Sequence, residues 1–489
     1  TDRVSHLLVI RLNNFLAIEA AFGAVAADEA MDHLRCAAER HLGRIDLHST
    51  GRGEMTLKTS ALPMMSAPAA TLVDRLCAML GAEPFRFGEV EILLSVSAGC
   101  AKTRNPMQAL PNRALEDQAR DRLSASTLPA AHVMARSVEW AARYRRDMAA
   151  AVRLMAQARC GALMFNWRPI ARTGLHGVAL HQEAAPEIAA VKGDRIDYAN
   201  ARAATERLGL AHMMDRLLLS HVLDQLAINP SSRLSVPIST QSLSLNLQGA
   251  DAGWTDLLAR LKRDPGLAGR LTVEMADNEG MTRFQDALAF VQALRRLGAR
   301  ISVARFGTGH ASIAQLKAIA PEVVKLDASF MRAACRSERD RERIRQLVRL
   351  ARTVSPIVIV DGIESAWHLR VASESGAEWV AGSYLGRPTP HISPIALCVD
   401  AKWRSPTEMD PIVRAADGLS SYAAHIRSVG GPDGGLHSGH IGDADLRARA
   451  AAAWRRPAGS AESAGRAADQ LHPKRDGGSI AHAGPASRL

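Results

Sequence analysis

Charged residues stand near the ends of several predicted strands in the second half of the chain. Three of them could act on a ligand: Glu274, Lys325 and Asp361. Ser239 and Ala304 occupy the corresponding places in two further predicted strands. In a barrel of alternating strands and helices, the chemistry takes place at the carboxyl ends of the strands. These five positions are therefore the first candidates for a functional site.

The elements that would position these residues alternate between strand and helix over residues 158–399. Apolar runs predict strands at 234–239, 271–276, 299–304, 322–327 and 357–361, and helical spacing predicts helices at 254–263 and 282–297. Gly298 follows the second helix, where a glycine at the C-terminus is favoured. Repeated strand–helix units of this total length predict a TIM-barrel-like α/β domain.

Residues 1–128 have a different pattern, in which short strands and amphipathic helices are mixed. Strands are predicted at 7–12 and 91–101, a helix at 26–41 and a hairpin at 47–57, which together indicate an α+β domain. Residues 129–157 predict a single linker helix. Residues 400–489 are rich in Gly, Ala, Ser and Arg, which favours a mostly disordered tail with a short helix at 444–454.

The composition is ordinary for a globular protein apart from its charge. The 489 residues carry a net charge of +11, but only 4% are aromatic, so nucleic-acid binding is disfavoured. Six scattered cysteines without pair spacing indicate reduced thiols and a cytoplasmic protein. No apolar run reaches the roughly 18 residues that span a bilayer. Because the chain begins at Thr1, membrane attachment through an upstream region stays open.

One stretch carries the most specific motif of the chain, Ile301-Ser-Val-Ala-Arg-Phe-Gly-Thr-Gly-His-Ala-Ser-Ile313. Six segments accompany it in order: Trp167-Arg-Pro-Ile170, Val236-Pro-Ile-Ser239, Val273-Glu-Met-Ala-Asp277, Val324-Lys-Leu-Asp327, Val360-Asp-Gly-Ile-Glu364 and Gly382-Ser-Tyr-Leu-Gly-Arg-Pro388. Together they resemble the EAL family of cyclic-di-GMP phosphodiesterases, whose corresponding loop has a hydrophobic strand, two aspartates and Phe-Gly-Thr-Gly. The resemblance covers nearly all of residues 158–399 and implies a TIM-barrel-like EAL domain.

A weaker resemblance covers the N-terminal residues. Gly51-Arg-Gly-Glu-Met55 stands where the GGDEF family of cyclases has Gly-Gly-Asp-Glu-Phe, in the tandem order common among GGDEF–EAL proteins. Arg11 stands at that family's metal-binding aspartate and Gly53 at the acid within the signature, so that only Glu54 is retained. The resemblance implies a cyclase-like α+β fold, and these departures imply that it cannot condense GTP.

The EAL resemblance implies that hydrolysis would need two divalent cations, Mg²⁺ or Mn²⁺, held by carboxylates and an amide oxygen. Four positions of that site are retained: Glu274, Lys325, Asp361 and Glu364. The lost positions are the motif glutamate at Ala179, an asparagine at Pro237, two aspartates at Ala304 and Arg305, and a glutamine at Ala381. We therefore expect no bound metal, no cofactor and no active catalytic residue.

The replacements also change the charge of the site. A guanidinium about 4 Å from a dication is repelled by roughly 8 kcal/mol at an effective dielectric constant of about 20. By the same resemblance, Glu183 stands at a phosphate-binding arginine and Arg168 at a glutamine. Drift on an unused surface would explain both, and a compensating pair of Arg305 with Glu183 is the alternative. Lys325 and Glu274 would simply pair with each other.

Three functions follow from the resemblance and its departures. A non-catalytic regulator or scaffold in cyclic-di-GMP signalling, acting through an unknown protein partner, is favoured because both sites lose ligands while the barrel pattern persists. The second is a receptor for cyclic-di-GMP or another nucleotide, with Arg168, Arg305 and Lys325 as phosphate contacts. The third is a residual phosphodiesterase. Homodimerisation is left open.

Overall fold

Hydrogen bonding sorts the strands into a four-stranded antiparallel sheet, a barrel sheet and a two-stranded hairpin. The computed structural model describes residues 5–42, 46–59, 69–103, 116–117, 137–175, 178–190, 196–243, 254–276, 284–309, 311–392 and 396–397. The tail predicted at 400–489, with its helix at 444–454, lies outside these residues. None of the helices in the described ranges is long and apolar enough to cross a membrane.

The N-terminal α+β domain is built on a sheet with the strand order β2-β3-β1-β6. Its elements are β1 (Ser5–Leu12), α1 (Phe15–Phe22), α2 (Ala24–Leu42), β2 (Asp46–Gly51), β3 (Glu54–Thr59), α3 (Ala69–Leu80), β4 (Phe85–Phe87), β5 (Val90–Ile92) and β6 (Val96–Thr103). The predicted hairpin at 47–57 is confirmed as β2 and β3. The strand predicted at 91–101 instead divides in two, because β5 pairs with β4 whereas β6 pairs with β1.

Helix α4 (Val138–Gln157) connects this domain to the barrel and contacts both. The Ser137 side chain caps it by accepting a hydrogen bond from the Trp140 amide. Arg145 donates 2.6 Å to the carbonyl oxygen of Ala21 in α1, and Asp147 accepts two hydrogen bonds, of 2.7 and 2.9 Å, from Arg207 on the barrel side. The first part of the helix predicted at 129–157, residues 129–136, lies outside the described residues.

The predicted TIM-like barrel is confirmed, with one difference in strand direction. Its strands are β7 (Leu163–Arg172), β8 (Val178–Ile188), β9 (Leu234–Ser239), β10 (Leu271–Ala276), β11 (Arg300–Phe306), β12 (Val323–Leu326), β13 (Ile357–Val360) and β14 (Trp379–Val380). The circle closes where β9 pairs with β8, and a short β15 (Ala396–Leu397) adds to β8. β7 runs antiparallel to both of its neighbours, whereas the other barrel pairs are parallel.

Helices cover the barrel and return the chain from one strand to the next. They are α5 (Tyr198–Arg207), α6 (Ala211–Ile228), α7 (Thr240–Leu243), α8 (Trp254–Arg263), α9 (Pro265–Ala268), α10 (Phe284–Arg296), α11 (Ile313–Ile319), α12 (Ala328–Ala334), α13 (Glu338–Arg352) and α14 (Ala366–Glu374). The helix predicted at 254–263 coincides with α8, and the one predicted at 282–297 is α10. Gly298 follows α10 with a φ of +100°, a left-handed conformation that suits glycine.

The barrel interior contains an apolar layer below the charged candidates. Ile357 and Ile359 precede Asp361 at two-residue intervals, and Val323 likewise precedes Lys325, so these side chains share the inward face of their strands. The buried apolar cluster of the interior consists of Ile170, Leu180, Val323, Ile357, Ile359, Trp379 and Ala381. This cluster fills the side of the interior formed by β7, β8 and β12–β14, and the charged candidates lie above it.

The loops that follow β13 and β14 approach each other closely at Gly382. A Cβ atom at this position would overlap the backbone nitrogen and carbonyl oxygen of Ile363. We therefore expect Gly382→Ala to lower the free energy of unfolding by at least about 3 kcal/mol, measured by urea denaturation. Gly174→Ala is the control, because Gly174 also has positive φ but has open space around it, and its cost should be about 1 kcal/mol. Equal costs for the two variants would contradict the close approach.

Candidate functional site

Five charged side chains from five barrel segments meet at one end of the barrel. This mouth cluster consists of Arg168 on β7, Glu183 on β8, Glu274 on β10, Lys325 on β12 and Asp361 after β13. Lys325 and Glu274 are buried, with side chains 5% and 8% exposed, and the other three are less than one-quarter exposed. The cluster combines three acids with two bases.

Lys325 is at the centre of the mouth cluster. Its ammonium nitrogen lies 2.8 Å from both carboxylate oxygens of Glu183. The same nitrogen lies 3.4 and 3.5 Å from the carboxylate oxygens of Glu274 and 3.7 Å from Asp361 Oδ2. The expected pairing of Lys325 with Glu274 is therefore present, but Glu183 is the closer partner.

Arg168 closes the cluster on the opposite side of Glu183. Its Nη2 donates 2.8 Å to Glu183 Oε2, and its two terminal nitrogens lie 3.3 Å from the two oxygens of Asp361. The register of β7 with β8 places Arg168 directly opposite Glu183, so the backbone itself brings the pair together. Each of the three carboxylates thus has a cation of the protein within 3.5 Å.

Burial and the two cations set the protonation of the acids in opposite ways. Burial alone would raise the pKa of Glu183, but Lys325 and Arg168 outweigh it and lower that pKa to about 2. Burial raises the pKa of Glu274 to about 7, because the more distant Lys325 only partly offsets the loss of hydration. Burial opposes the charge of Lys325, yet Glu183 and Glu274 together hold its pKa above the ordinary value. At neutral pH, Lys325 and Glu183 form a fully charged pair.

Arg305 does not join this cluster. It lies at an irregularity in the β11–β12 register, its φ is +59°, and its side chain is 45% exposed. Its Nε lies 3.4 Å from Asp327 Oδ2. The alternative pairing of Arg305 with Glu183 is therefore wrong, since Arg168 and Lys325 already bind that carboxylate.

The remaining predicted positions contribute no charge to the mouth cluster. Pro237 lies opposite Glu274 in the β9–β10 register, and Ala304 is buried beside Arg305. Ala381 is fully buried in the apolar layer, where its carbonyl oxygen accepts from the Ile363 amide. Glu364 was grouped with the retained site residues, but it is exposed and outside the cluster.

The sequence motifs did not indicate the central place of Glu183 in the mouth cluster. Ala179, the position predicted for the lost motif glutamate, lies opposite Ala171, four residues before Glu183 and about 13 Å nearer the amino end of β8. Glu183 is the acid that β8 brings to the retained residues. The sequence Glu183-Ala184, which begins like the motif itself, was the signal that could have located it.

The side chains present do not fit a pair of divalent cations. Mg²⁺ and Mn²⁺ need oxygen ligands that are free to coordinate, and here each carboxylate is held by Lys325 or Arg168. Pro237 and Ala304 offer no side-chain oxygen. Among the described residues, no group of three or more Asp, Glu, His or Cys side chains is arranged to hold a metal ion.

The N-terminal domain shows the same neutralisation at its cyclase-like position. Arg11 lies opposite Glu54 in the β1–β3 register, and its Nη2 and Nε lie 2.6 and 2.7 Å from Glu54 Oε1. Arg52 pairs with Glu19 and lies over the ring of Phe15, 5.6 Å from its centroid. The retained acid of this domain is therefore also bound by an arginine.

Comparison with known proteins identifies the barrel. Residues 151–388 match the family model described as the EAL domain. The chain carries an EAL domain. An uncharacterised protein of Azorhizobium caulinodans is 24% identical over 405 residues, which cover 79% of this chain and 52% of that protein. The cyclic di-GMP phosphodiesterase PdeF of Escherichia coli is 29% identical over 125 residues, which cover 26% of this chain and 17% of that protein.

The solved structures that are similar to this chain have low sequence identity to it. The S helix-GGDEF-EAL structure of Vibrio cholerae LapD is 15% identical with a TM-score of 0.44, and the alignment covers 78% of this chain and 89% of that one. The EAL domain of FimX from Pseudomonas aeruginosa bound to c-di-GMP is 21% identical with a TM-score of 0.42, covering 50% and 98%.

Lys325 is predicted to be essential for the stability of the EAL domain. Lys325→Met should lower the free energy of unfolding by about 3–5 kcal/mol, because Glu183 and Glu274 would stay buried without their shared cation. Lys317→Met, at an exposed lysine on α11, is the control and should change stability by less than about 0.5 kcal/mol. A Lys325→Met protein as stable as the control in urea denaturation would show that the cluster contributes nothing.

Glu274 should give the EAL domain an unusual dependence of stability on pH. Its folded-state pKa of about 7 lies above the ordinary 4.5, so between these values the folded protein keeps a proton that the unfolded chain releases. Stability should therefore fall as pH rises from about 4.5 to about 7, by about 3 kcal/mol. Glu274→Gln should remove this slope, whereas Glu378→Gln, at a half-exposed glutamate paired with Arg172, should leave it unchanged. Identical slopes in wild type and Glu274→Gln would disprove the assignment.

Proposed function

We propose that this EAL domain acts in cyclic-di-GMP signalling as a non-catalytic regulator or scaffold that binds a protein partner. The observation that carries the proposal is the occupation of all three mouth carboxylates by Lys325 and Arg168. The acids that would hold divalent cations are neutralised by the protein's own side chains. Hydrolysis that depends on such cations should therefore be absent.

The charge of the mouth cluster supports this proposal. Three acids and two bases leave one net negative charge when all are ionised, and the raised pKa of Glu274 reduces even that at neutral pH. At the rim, the charge of Arg305 is paired with that of Asp327 and gives a divalent cation no compensation. Two divalent cations in this site would find almost no compensating negative charge. They would also lie close enough to the Lys325 ammonium group to be strongly repelled by it.

The intact framework supports a role in binding. The barrel is closed, its interior holds a buried apolar cluster, and Gly307 has positive φ beside the ring of Phe330. A folded domain that does not hydrolyse a nucleotide can still bind another protein through its surface. The proposal keeps the cytoplasmic placement that the scattered cysteines of the sequence predict.

A nucleotide receptor is the second candidate, and one observation favours it. The Arg305 side chain is 45% exposed at the rim, where it could contact a phosphate. PdeF is named a cyclic di-GMP phosphodiesterase, and the FimX EAL structure is described as bound to c-di-GMP. Arg168 and Lys325 support this candidate less than the sequence predicted, because carboxylates already occupy them.

The test is a calorimetric titration of the full chain with cyclic-di-GMP in the presence of Mg²⁺ or Mn²⁺, followed by chromatography of the nucleotide. We expect no heat at a few tens of micromolar nucleotide and no cleavage. Heat with intact nucleotide would show binding without hydrolysis, and the receptor would then replace the scaffold as the proposed function. Cleavage would overturn the proposal, since the mouth cluster would then release its acids to metal.

A reconstructed variant serves as the positive control for the metal site. Arg168→Gln, Pro237→Asn, Ala304→Asp and Arg305→Asp together return oxygen ligands and remove two cations. Binding of Mn²⁺ is measured as the loss of the electron paramagnetic resonance signal of the free ion. We expect this loss with the variant and not with the wild type. Wild-type binding equal to that of the variant would contradict the role assigned to Lys325 and Arg168.

A further inference from the structure

A cleft outside the barrel mouth lies between the N-terminal domain and the EAL domain. Its walls come from α3 and β6 on one side and from α6 and α8 on the other, with the end of α4 between them. The cavity volume is about 620 Å³. Small-molecule sites typically occupy roughly 300–1,000 Å³ and often lie at domain interfaces.

The floor and sides of this interdomain cleft are largely apolar. Met79 and Leu94 line it from the N-terminal domain, Met155 from α4, and Met213 and Leu217 from α6. Three of these five side chains are methionines, whose unbranched and polarisable thioethers adapt to the shape of a bound molecule. The apolar lining can therefore contact the hydrophobic part of a ligand without requiring one particular shape.

Arginine side chains outnumber acidic side chains in the lining of the same cleft. Arg75 and Asp256 pair across it, with Arg75 Nε 3.2 Å from Asp256 Oδ2. Arg159 and Arg216 also line it, and neither makes an ion pair with any residue in the described part of the chain. His212 lies beside them, and burial, together with Arg216, lowers its pKa to about 4, so the imidazole is neutral at pH 7.

The two guanidinium groups differ in their exposure to water. Arg216 is half-buried, whereas Arg159 is exposed. Partial desolvation still lowers the pKa of Arg159, although the nearby acid Glu83 acts in the opposite direction. A cation beside an apolar wall loses hydration, and an anion that reaches it restores the lost interaction. The cleft thus places an apolar surface next to two arginines, Arg159 and Arg216, that can contact an anion.

We propose that the interdomain cleft binds a small organic anion with an apolar body, whose anionic group is contacted by Arg159 and Arg216. This inference goes beyond the proposed function and does not depend on it, because none of its residues belongs to the mouth cluster. A ligand there touches both domains at once. Its binding would therefore stabilise the contact between the two domains.

The test uses two fluorescent probes with nearly the same aromatic body. 1-Anilinonaphthalene-8-sulfonate carries a sulfonate, and N-phenyl-1-naphthylamine is its neutral counterpart. We expect saturable fluorescence enhancement of the sulfonate probe with the full chain. The double variant Arg159→Gln, Arg216→Gln should weaken its binding by about tenfold or more, while binding of the neutral probe stays within about twofold.

Two further variants keep the result specific to the cleft. Arg332→Gln, at an exposed arginine on α12, is the matched control and should leave both probes unaffected. Ala78→Phe fills the cleft and should abolish binding of both, with circular dichroism and thermal unfolding showing that each variant is folded. Unchanged sulfonate affinity in the double variant, parallel loss of both probes in it, or full binding to Ala78→Phe would each overturn the proposal. None of these outcomes bears on cyclic-di-GMP hydrolysis.

Discussion

The ammonium group of Lys325, held between Glu183 and Glu274, is the interaction on which the barrel mouth depends. Buried charges are tolerated only when they are paired, and the inward faces of β8, β10 and β12 deliver three such charges to one point. Arg168 and Asp361 complete the balance on the side of Glu183. The Lys325 and Glu274 side chains are buried at this point, which makes their pairing both stronger and more necessary.

The same solution appears in the N-terminal domain, on a different fold. There Arg11 faces Glu54 across two antiparallel strands, as Arg168 faces Glu183 across β7 and β8. In each case the base stands directly opposite a surviving acid and satisfies it.

Most elements could be predicted from the sequence, whereas the contacts of the site could not. The ranges 234–239, 254–263 and 271–276 coincide with β9, α8 and β10, because apolar periodicity and flanking breakers define them. The binding of Glu183 by both Arg168 and Lys325 could not be predicted, since the loop between β7 and β8 leaves the register of the two strands undetermined until hydrogen bonds are formed. The direction of Arg305 depends on its positive φ and on a strand irregularity, neither of which a residue pattern encodes.

Helix α4 has a consequence for where this protein can be divided. The match to the EAL family begins at residue 151, in the middle of a helix that starts at Val138. The half of the helix before that boundary holds Arg145, which contacts α1, and Asp147, which contacts Arg207 of the barrel. The unit that is inherited as a family and the unit that folds are therefore different lengths of chain. A barrel excised at residue 151 would lack the part of α4 that contacts it through Asp147.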